Sequence, residues 1–526
     1  MTLAPHSLIA GSSELGGGDE LVARRAADGA VLAPTFRSNT AEELELAVQA
    51  AHDAFDVYRA TSPADRAAFL ERIATEIEAD KDEIIARAHE ETGLPVARLT
   101  GEVGRTTGQL RLFAKVIAEG GWQGARIDEA LPDRTPLPRA DIRQRKIPLG
   151  PVAVFGASNF PLAFSTAGGD TASALASGSP VIVKAHSGHL GTASLVGHAI
   201  ARAVEASGLP SGVFSQLFGS GRVIGQGLVA DPRIKAVGFT GSRSGGLALV
   251  RIAQQRAEPI PVYAEMSSVN PVFVLPAALA ADPEEVAADY VGSLTLGSGQ
   301  FCTNPGIVLV PGGDAGDAFL REVGERIAQA NGQTMLTHGI GDAYREGVAE
   351  REASGATVVA RGQGDSTLNA PAPIVFSEAV EAFGEALEGE IFGAAGLVLR
   401  YDDADQLREF AEQLEGQLTA TVLATDDDTD AARALLPVLE RKVGRILFNG
   451  WPTGVEVGYS MVHGGPYPAT SDARSTSVGA LAIERFLRPV AYQDVPDALL
   501  PEALRDANEW GVPRLVEGRI QLPSGY

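Results

Sequence analysis

The amino-acid sequence predicts an α/β protein whose parallel sheets are covered by helices on both faces. Five apolar segments rich in β-branched residues lie within residues 151–264, and Ala-rich segments of helical character separate them. Five more apolar segments follow within residues 271–449. Apolar runs without polar alternation, each followed by one helix, are typical of parallel strands buried on both faces. We therefore expect a doubly wound, Rossmann-like region followed by a second α/β region.

Two helices are predicted before the first of these strands. Thr40 followed by Glu43 is the pattern of a capping box, in which the two side chains satisfy free backbone amides at a helix start. Apolar residues then recur at helical spacing over residues 44–58 and again over 65–79. Each helix is expected to bury one face in a core and to contribute no catalytic or binding residue.

Polar residues stand at the carboxyl ends of the strands predicted in the first region. Asn159 follows the first strand and Lys184 ends the second. Thr240 and Ser242 follow the fourth strand, and Glu265 follows the fifth. Because ligands bind at the carboxyl ends of parallel strands, we expect these residues to line one crevice. The five strands are predicted at residues 151–155, 180–184, 213–217, 235–239 and 261–264.

The net charge of the chain, −24, argues against two classes of partner. An acidic surface repels the phosphates of nucleic acids and anionic lipids, so neither nucleic acid nor a membrane is an expected partner. No segment reaches the ~20 apolar residues that span a bilayer. The first residues also lack the basic and apolar regions of a secretory signal, so the cytoplasm is the expected location.

The single cysteine, Cys302, lies in the segment GSGQFCTNPG at residues 297–306. One cysteine allows neither an intramolecular disulfide nor a zinc site built on thiolates, and no metal site is predicted. A lone cysteine is either a small buried apolar residue or a nucleophile. The small neighbours would leave the sulfur open to a substrate and the backbone amides free to face an oxyanion, which is compatible with a nucleophile but leaves both interpretations open.

Six segments match, in order, the motifs of the aldehyde dehydrogenase superfamily, which the chain resembles over nearly its whole length. They are ASNFPLA (157–163), VIVKAHSGH (181–189), GFTGS (238–242), AEMSSVNP (264–271), GSGQFCTNPG (297–306) and EIFGAAG (390–396). The resemblance implies an aldehyde dehydrogenase-like α/β fold that assembles as a homodimer or homotetramer. The implied units are a Rossmann-type cofactor-binding domain (1–124 and 151–265), an α/β catalytic domain (266–485), and an oligomerisation hairpin with a C-terminal tail (125–150 and 486–526).

The resemblance also implies covalent oxidation of an aldehyde with Cys302 as the nucleophile. A thiolate converts the carbonyl into a tetrahedral hemithioacetal that can expel hydride, and it later leaves from the resulting thioester. The side-chain amide of Asn159 and the backbone N–H of Cys302 would bind the oxyanion. Glu265 would activate the water that hydrolyses the thioester. After this glutamate, Met-Ser-Ser at 266–268 replaces the usual Leu-Gly-Gly, which removes the backbone freedom of two glycines.

The implied cofactor is a nicotinamide dinucleotide, and three residues favour NADP over NAD. Lys184 would bind the adenosine ribose. Ser187 stands where NAD-preferring members carry a glutamate, and a hydroxyl can bond to the 2′-phosphate that a carboxylate would repel. Arg222 stands where NADP-preferring members place an arginine, although a charge on a helix surface is the alternative interpretation.

Further positions would complete the site. Thr240 and Ser242 lie in the segment that would meet the pyrophosphate near a helix start. Glu390 would hold the nicotinamide ribose, and Phe392 would pack near the nicotinamide ring. His463 is either a proton-transfer group beside the thiol, as in similar NADP-dependent members, or a hydrogen-bonded structural residue.

Several segments, including KAHSGH and GGPYPATSDARSTSVG, resemble the 2-oxoglutarate semialdehyde (2,5-dioxopentanoate) dehydrogenases in particular. This likeness implies the oxidation of 2,5-dioxopentanoate to 2-oxoglutarate. A long-chain fatty aldehyde dehydrogenase is the alternative within the family. A thiol esterase without a redox role is the alternative from another class, and it would leave Lys184, Arg222 and Glu390 without a purpose. The substrate carboxylate needs a cation or several donors, for which the sequence offers Arg105 without assigning it.

Overall fold

The computed structural model describes residues 3–523, and most of its strands belong to two seven-stranded sheets. The ten strands predicted from the sequence are confirmed, each end within three residues of its predicted position. Numbered along the chain, the strands are β1 (Ser7–Ile9), β2 (Ser12–Glu14), β3 (Glu20–Arg24), β4 (Val31–Arg37), β5 (Ala125–Asp128), β6 (Ile142–Pro148), β7 (Val152–Phe155), β8 (Val181–Lys184), β9 (Phe214–Leu217), β10 (Ala236–Thr240), β11 (Val262–Glu265), β12 (Val272–Val274), β13 (Ile307–Pro311), β14 (Thr357–Arg361), β15 (Ile374–Ala379), β16 (Ala395–Tyr401), β17 (Gln417–Leu423), β18 (Val443–Phe448), β19 (Leu487–Gln493), β20 (Arg514–Val516) and β21 (Arg519–Gln521).

The helices begin where the sequence supplies caps. Thr40 accepts the N–H of Glu43 and Glu43 accepts the N–H of Thr40, so the predicted capping box is present at the start of the first helix. The second helix begins two residues before the predicted start, because Ser62 caps it and Pro63 fits its first turn. In chain order, the helices are α1 (Ala41–Arg59), α2 (Pro63–Ala79), α3 (Lys81–Thr92), α4 (Val96–Glu119), α5 (Gly169–Ser177), α6 (Leu190–Ala206), α7 (Gln226–Ala230), α8 (Arg243–Gln255), α9 (Pro276–Ala281), α10 (Pro283–Thr295), α11 (Gly313–Gln329), α12 (His338–Ala353), α13 (Glu385–Glu388), α14 (Ala404–Gln413) and α15 (Thr429–Lys442).

The first sheet is doubly wound and has the strand order β11-β10-β7-β8-β9-β1-β2. Strands β7 to β11 run parallel, whereas β1 pairs antiparallel with β9 and with β2. Val152 and Val154 of β7 pack into a core that includes helices α2 to α6, while Ala153 and Phe155 pack into a second core with α1, α7 and α8. With both faces covered, ligands reach this sheet at the carboxyl edge of its strands.

The second sheet has the order β14-β15-β16-β13-β12-β17-β18, and its strands are parallel except for β14. Ile307 and Leu309 of β13 face a core that includes helices α12, α14 and α15. Val308 and Val310 face the opposite core with helices α9 to α11. The sequence analysis did not predict β14 and β15, which complete one side of this sheet.

A smaller sheet of five strands, β19-β6-β5-β20-β21, joins the middle of the chain to its C-terminal part. The hairpin predicted within residues 125–150 is present as the antiparallel pair β5 and β6. The tail contributes β19, which pairs with β6 along its whole length. Strands β3 and β4 form a separate two-stranded sheet. Within residues 3–523, no helix combines the length and the apolar character needed to cross a membrane.

Candidate active site

The carboxyl edge of the first sheet brings predicted site residues together. Asn159 lies in the loop after β7, Thr240 ends β10 and Glu265 ends β11. Thr240 and Glu265 are direct neighbours across the parallel pair β10 and β11. Ser242 caps helix α8, where its hydroxyl accepts the N–H of Gly245. A helix start therefore points its free amides at the same edge, and such a start favours an anion.

A sharply turning loop presents Cys302 to this edge. Gly297, Ser298 and Gly299 have left-handed backbone φ angles of 57°, 58° and 67°. A Cβ on Gly299 would lie 2.4 Å from the backbone of Gly393, so a larger residue would force the backbone to shift. Glycine adopts this conformation without a steric cost. The small residues before the cysteine thus serve to turn the chain just ahead of the sulfur.

Asn270 ties this loop to the segment that follows Glu265. Its side-chain Nδ2 donates to the backbone carbonyls of Cys302 at 2.8 Å and Asn304 at 2.9 Å. The hydroxyl of Ser268 donates to Asn270 Oδ1 at 2.8 Å. Ser268 occupies one of the positions where the family usually has glycine, and its hydroxyl braces the asparagine that holds the nucleophile loop.

Three side chains from distant parts of the chain meet beside the loop. Cys302 Sγ lies 3.4 Å from His463 Nε2, and the same nitrogen lies 2.8 Å from Glu265 Oε1. His463 is fully buried and Glu265 is 3% exposed, whereas Cys302 is partly exposed. The thiol is therefore the member of the cluster that a substrate can reach.

The same cluster has the composition of a possible metal site. One ligand atom from each of Glu265, Cys302 and His463 lies within 4.8 Å of the other two. Hydrogen bonding among the three groups accounts for this closeness as well as metal ligation would. The expectation from the sequence that the protein has no metal site stays a prediction.

The protonation of the cluster follows from its surroundings. Burial and the nearby charge of Glu265 raise the pKa of the Cys302 thiol well above its usual value. Burial also acts to raise the pKa of Glu265, but His463 and a hydrogen bond from Ser477 outweigh it and hold that pKa below its usual value. A neutral thiol thus lies beside an ionised carboxylate, which can accept its proton.

Sequence analysis missed two hydroxyl residues that hold this arrangement. Ser477 donates to Glu265 Oε2 at 2.7 Å, and Thr476 accepts the N–H of His463 at 2.9 Å. Ser477 follows Glu265 by 212 residues in the chain. In a segment as rich in serine and threonine as SDARSTSVG, no local pattern distinguishes these two from their neighbours.

Asn159 contacts the nucleophile loop at Gln300. Its side chain is buried, and Nδ2 donates to the carbonyl of Gln300 at 3.2 Å. Arg98 donates to the backbone carbonyl of Asn159 at 2.8 Å and thereby fixes the loop after β7. An amide donor consequently lies close to Cys302, as the binding of an oxyanion requires.

A groove with a volume of about 700 Å³ runs along the carboxyl edge. Its walls combine hydroxyl groups, a helix start and apolar side chains, a lining that fits a dinucleotide. Desolvation raises the pKa of the Glu390 carboxyl in this groove to about 8. The predicted site residues in its walls are Asn159, Thr240, Ser242, Glu265, Cys302, Glu390 and Phe392.

The other predicted cofactor residues lie outside the walls of this groove. Lys184 ends β8 and is buried, and burial lowers the pKa of its amine to about 8. Ser187 and Arg222 are exposed in segments that follow β8 and β9. Because β8 and β9 succeed β7 in the sheet order, all three residues continue the same carboxyl edge away from Cys302.

The profile of the aldehyde dehydrogenase family matches residues 18–468, so the chain belongs to the aldehyde dehydrogenase family. It is an oxidoreductase that acts on an aldehyde, in a family that uses NAD or NADP. Alpha-ketoglutaric semialdehyde dehydrogenase 2 of Azospirillum brasilense is 57% identical over 93% of this chain and 94% of its own. Alpha-ketoglutaric semialdehyde dehydrogenase of Acinetobacter baylyi is 51% identical over 92% of each chain.

Solved structures agree with the predicted fold. Betaine aldehyde dehydrogenase from Staphylococcus aureus has a TM-score of 0.81 at 18% identity, covering 94% of this chain and 98% of its own. A putative aldehyde dehydrogenase from Burkholderia cenocepacia has a TM-score of 0.79 at 21% identity, covering 93% of this chain and 100% of its own. These likenesses confirm the aldehyde dehydrogenase-like α/β fold that the sequence motifs implied.

Proposed function

We propose that this enzyme oxidises 2,5-dioxopentanoate (alpha-ketoglutaric semialdehyde) to 2-oxoglutarate with NADP+. The observation that carries the proposal is the identity above 50% to two alpha-ketoglutaric semialdehyde dehydrogenases over more than nine tenths of the chain. The balanced reaction consumes the aldehyde, NADP+ and water, and it yields 2-oxoglutarate, NADPH and two protons.

The first step is the formation of a covalent adduct on Cys302. The thiol gives its proton to the adjacent carboxylate of Glu265, which His463 and Ser477 hold in place. The thiolate then adds to the aldehyde carbon and forms the tetrahedral hemithioacetal. The amide of Asn159 and the backbone N–H of Cys302 bind its oxyanion, and losing one such donor typically costs about 3 kcal/mol of transition-state stabilisation.

The second step is oxidation of this adduct followed by hydrolysis. A dinucleotide bound in the groove supplies the acceptor for the hydride that leaves the hemithioacetal carbon. A thioester remains on Cys302, and it needs water activated by a base. Glu265 is a buried carboxylate beside the sulfur in the groove. It releases the thiol proton to solvent before the hydrolysis, and its lowered pKa then keeps it ionised at neutral pH. The thiolate is the leaving group and is ready for a new cycle.

The proposed preference for NADP rests on residues at the carboxyl ends of β8 and β9. Lys184 is a buried amine at the end of β8, and Ser187 and Arg222 are exposed beyond it. An arginine and a hydroxyl favour a ribose 2′-phosphate, whereas a carboxylate at Ser187 would repel it. NAD remains the second possible cofactor.

Substituting Ser187 with glutamate is therefore expected to raise the KM for NADP about tenfold or more, while the KM for NAD changes little or falls. Initial rates with each dinucleotide at saturating aldehyde measure both constants. Thr75→Glu adds the same charge to an exposed position of helix α2 and is the matched control. Equal changes in the two KM values would contradict the proposed role of Ser187.

A panel of aldehydes tests the proposed substrate. We expect kcat/KM to be highest for 2,5-dioxopentanoate, lower for succinic semialdehyde and lowest for decanal. A maximum with decanal would instead support a long-chain fatty aldehyde dehydrogenase. Cleavage of an activated ester without any formation of NADPH from aldehydes would support the thiol esterase.

The sheet that joins hairpin and tail supports a proposal about assembly. Among residues 3–523, β19 lies at one edge of this sheet and β21 at the other, and an edge strand can pair with a strand of a second copy. We place the contacts of a homodimer or homotetramer at this hairpin and tail, with the cofactor-binding and catalytic domains bounded as the sequence predicts. Sedimentation analysis of the whole chain measures the assembly.

A further inference from the structure

A second cavity lies beside the nucleophile loop, at Leu296, Gly297 and Phe301. It has a volume of about 300 Å³ and is lined by helix α4 and by aromatic residues next to Asn159 and Cys302 in the chain. No lining residue is common to this cavity and the groove. Its walls contain Arg98, Glu102, Arg105, Phe160, Leu296 and Phe301.

The two arginines of this cavity lie on one face of helix α4. Arg98 and Arg105 are seven residues apart, which is close to two helical turns. The guanidinium carbon of Arg98 lies 4.6 Å from the ring centre of Phe301, and that of Arg105 lies 5.5 Å from the ring centre of Phe164. Phe164 contacts His463, with ring centres 6.1 Å apart, and His463 contacts Cys302. Arg105 is thus linked to the thiol through two packed side chains.

Arg105 has one edge of its guanidinium group free. Its Nη1 donates to the backbone carbonyl of Val455. Its Nε and Nη2 are shielded from solvent and have no hydrogen-bond partner within residues 3–523. These two nitrogens carry the parallel N–H bonds that bind both oxygens of a carboxylate. A buried donor pair without an acceptor is costly in a folded protein, which indicates that a ligand completes it.

A neighbouring arginine supports Arg105 without competing for the ligand. Arg445 donates through Nη1 to the carbonyl of Gly454 at 3.0 Å and through Nη2 to that of Pro452 at 2.9 Å. Arg105 and Arg445 therefore hold the same loop, residues 452–455. Because Arg445 commits both terminal nitrogens to this loop, its role is to position the loop that contacts Arg105.

The charges around the cavity favour an anion there. The chain as a whole carries −24, which repels an anionic substrate at a distance. Arg98 and Arg105 line the cavity, and Arg445 lies close enough to Arg105 for their charges to interact. The buried carboxyl of Glu102 accepts the N–H groups of Leu162 and Ala163 through Oε1, at 2.8 and 3.0 Å, and burial raises its pKa, which lowers the negative charge that it brings to the cavity.

We propose that Arg105 binds the carboxylate of the aldehyde substrate through Nε and Nη2, while the aldehyde end lies at Cys302. This assignment rests on the proposed function and makes Arg105 the residue that selects aldehydes with a terminal carboxylate. The substrate would enter through the cavity beside helix α4, whose lining residues differ from those of the groove for the dinucleotide.

The test compares charged and uncharged aldehydes in the variant Arg105→Gln. We expect kcat/KM to fall about 100-fold or more for 2,5-dioxopentanoate and for succinic semialdehyde, because a desolvated arginine–carboxylate pair is lost. For pentanal, which lacks the carboxylate, kcat/KM is expected to stay within about threefold of the wild type. Arg105→Lys keeps the charge but not the parallel donors. Its kcat/KM for the two carboxylate-bearing aldehydes should lie between the values of the wild type and of Arg105→Gln.

Arg111→Gln is the matched control on the same helix. Arg111 pairs with Glu71 and Glu78 rather than lining the cavity, so this variant should keep wild-type constants for every aldehyde. An equal loss with pentanal in Arg105→Gln would mean that Arg105 only supports the loop through Val455, and an unaltered kcat/KM for both acids would mean that another group binds the carboxylate. Either result overturns the proposal.

The wild-type enzyme separates failure of this inference from failure of the proposed function. If succinic semialdehyde is a better substrate than 2,5-dioxopentanoate, the proposed substrate is wrong, and the effect of Arg105→Gln on succinic semialdehyde still decides the role of Arg105. If the wild type does not prefer either acid to pentanal, both proposals are wrong. Product inhibition by 2-oxoglutarate gives an independent readout, with an inhibition constant that should rise about 100-fold in Arg105→Gln.

Discussion

Substituting Cys302 with serine is expected to lower kcat for aldehyde oxidation about 10⁴-fold or more. The serine hydroxyl is much less acidic than a thiol, and neither Glu265 nor His463 can form the thioester in its place. The near-ultraviolet absorbance of NADPH under saturating aldehyde and NADP measures the rate. The effect should be as large for pentanal as for 2,5-dioxopentanoate, because every aldehyde needs the same nucleophile.

Binding of the dinucleotide provides the control for this variant. The groove keeps its other walls, so the dissociation constant of NADP should match that of the wild type. An acyl adduct found on the wild type but not on Cys302→Ser would identify the nucleophile directly by mass spectrometry. Turnover above about a hundredth of the wild-type rate would refute covalent catalysis by this residue.

Replacing Glu265 with glutamine is expected to trap the enzyme as its thioester. A burst of about one NADPH per active site, slower than in the wild type because the thiol has lost its proton acceptor, should precede a steady rate that is lower by about 10² to 10⁴-fold, because water no longer has a base. The amide keeps the shape of the carboxylate and can still accept the hydrogen bond of Ser477. Stopped-flow absorbance resolves the burst, and mass spectrometry detects the acyl group on Cys302.

A control variant and two other outcomes of the Glu265→Gln experiment would define the role of this carboxylate. Glu258→Gln removes an exposed carboxylate that pairs with Lys235, and it should leave both phases unchanged. Steady turnover at the wild-type rate in Glu265→Gln would remove Glu265 from thioester hydrolysis. Loss of the burst together with turnover would limit the role of Glu265 to accepting the thiol proton, since the carboxylate lies beside the neutral sulfur.

Local sequence patterns were sufficient to predict the main strands of the two large sheets and the start of the first helix. The buried strands β7 to β11 have uninterrupted apolar sequences, and the cap at Thr40 needs only neighbours three residues apart. The residues Asn159, Glu265 and Cys302 could be selected because their segments resemble family motifs; their positions after strands or among small residues would not have been sufficient. Strand β14 was missed because residues 357–361 are largely exposed, and strand β15 was missed although its first three residues are apolar and buried.

The contacts that prepare the site could not be predicted in the same way. His463 and Glu265 are 198 residues apart, and only the folded chain shows that one nitrogen faces both the carboxylate and the sulfur. The sequence offered Arg105 only as a candidate for the substrate carboxylate. Its distinguishing property is a free pair of donors, which depends on the direction of the guanidinium group and on the position of Val455.

The amide of Asn270 has a consequence for how this enzyme can change over time. Its hydrogen bonds to the carbonyls of Cys302 and Asn304 hold the nucleophile loop against the segment that follows β11. Helix α4 makes neither of these hydrogen bonds, and it contacts the loop after β7 and the nucleophile loop through Arg98. Mutations on α4 that spare Arg98 can therefore alter which aldehydes are accepted while Asn270 keeps the nucleophile loop in place, so new substrate preferences can evolve on a conserved chemical centre.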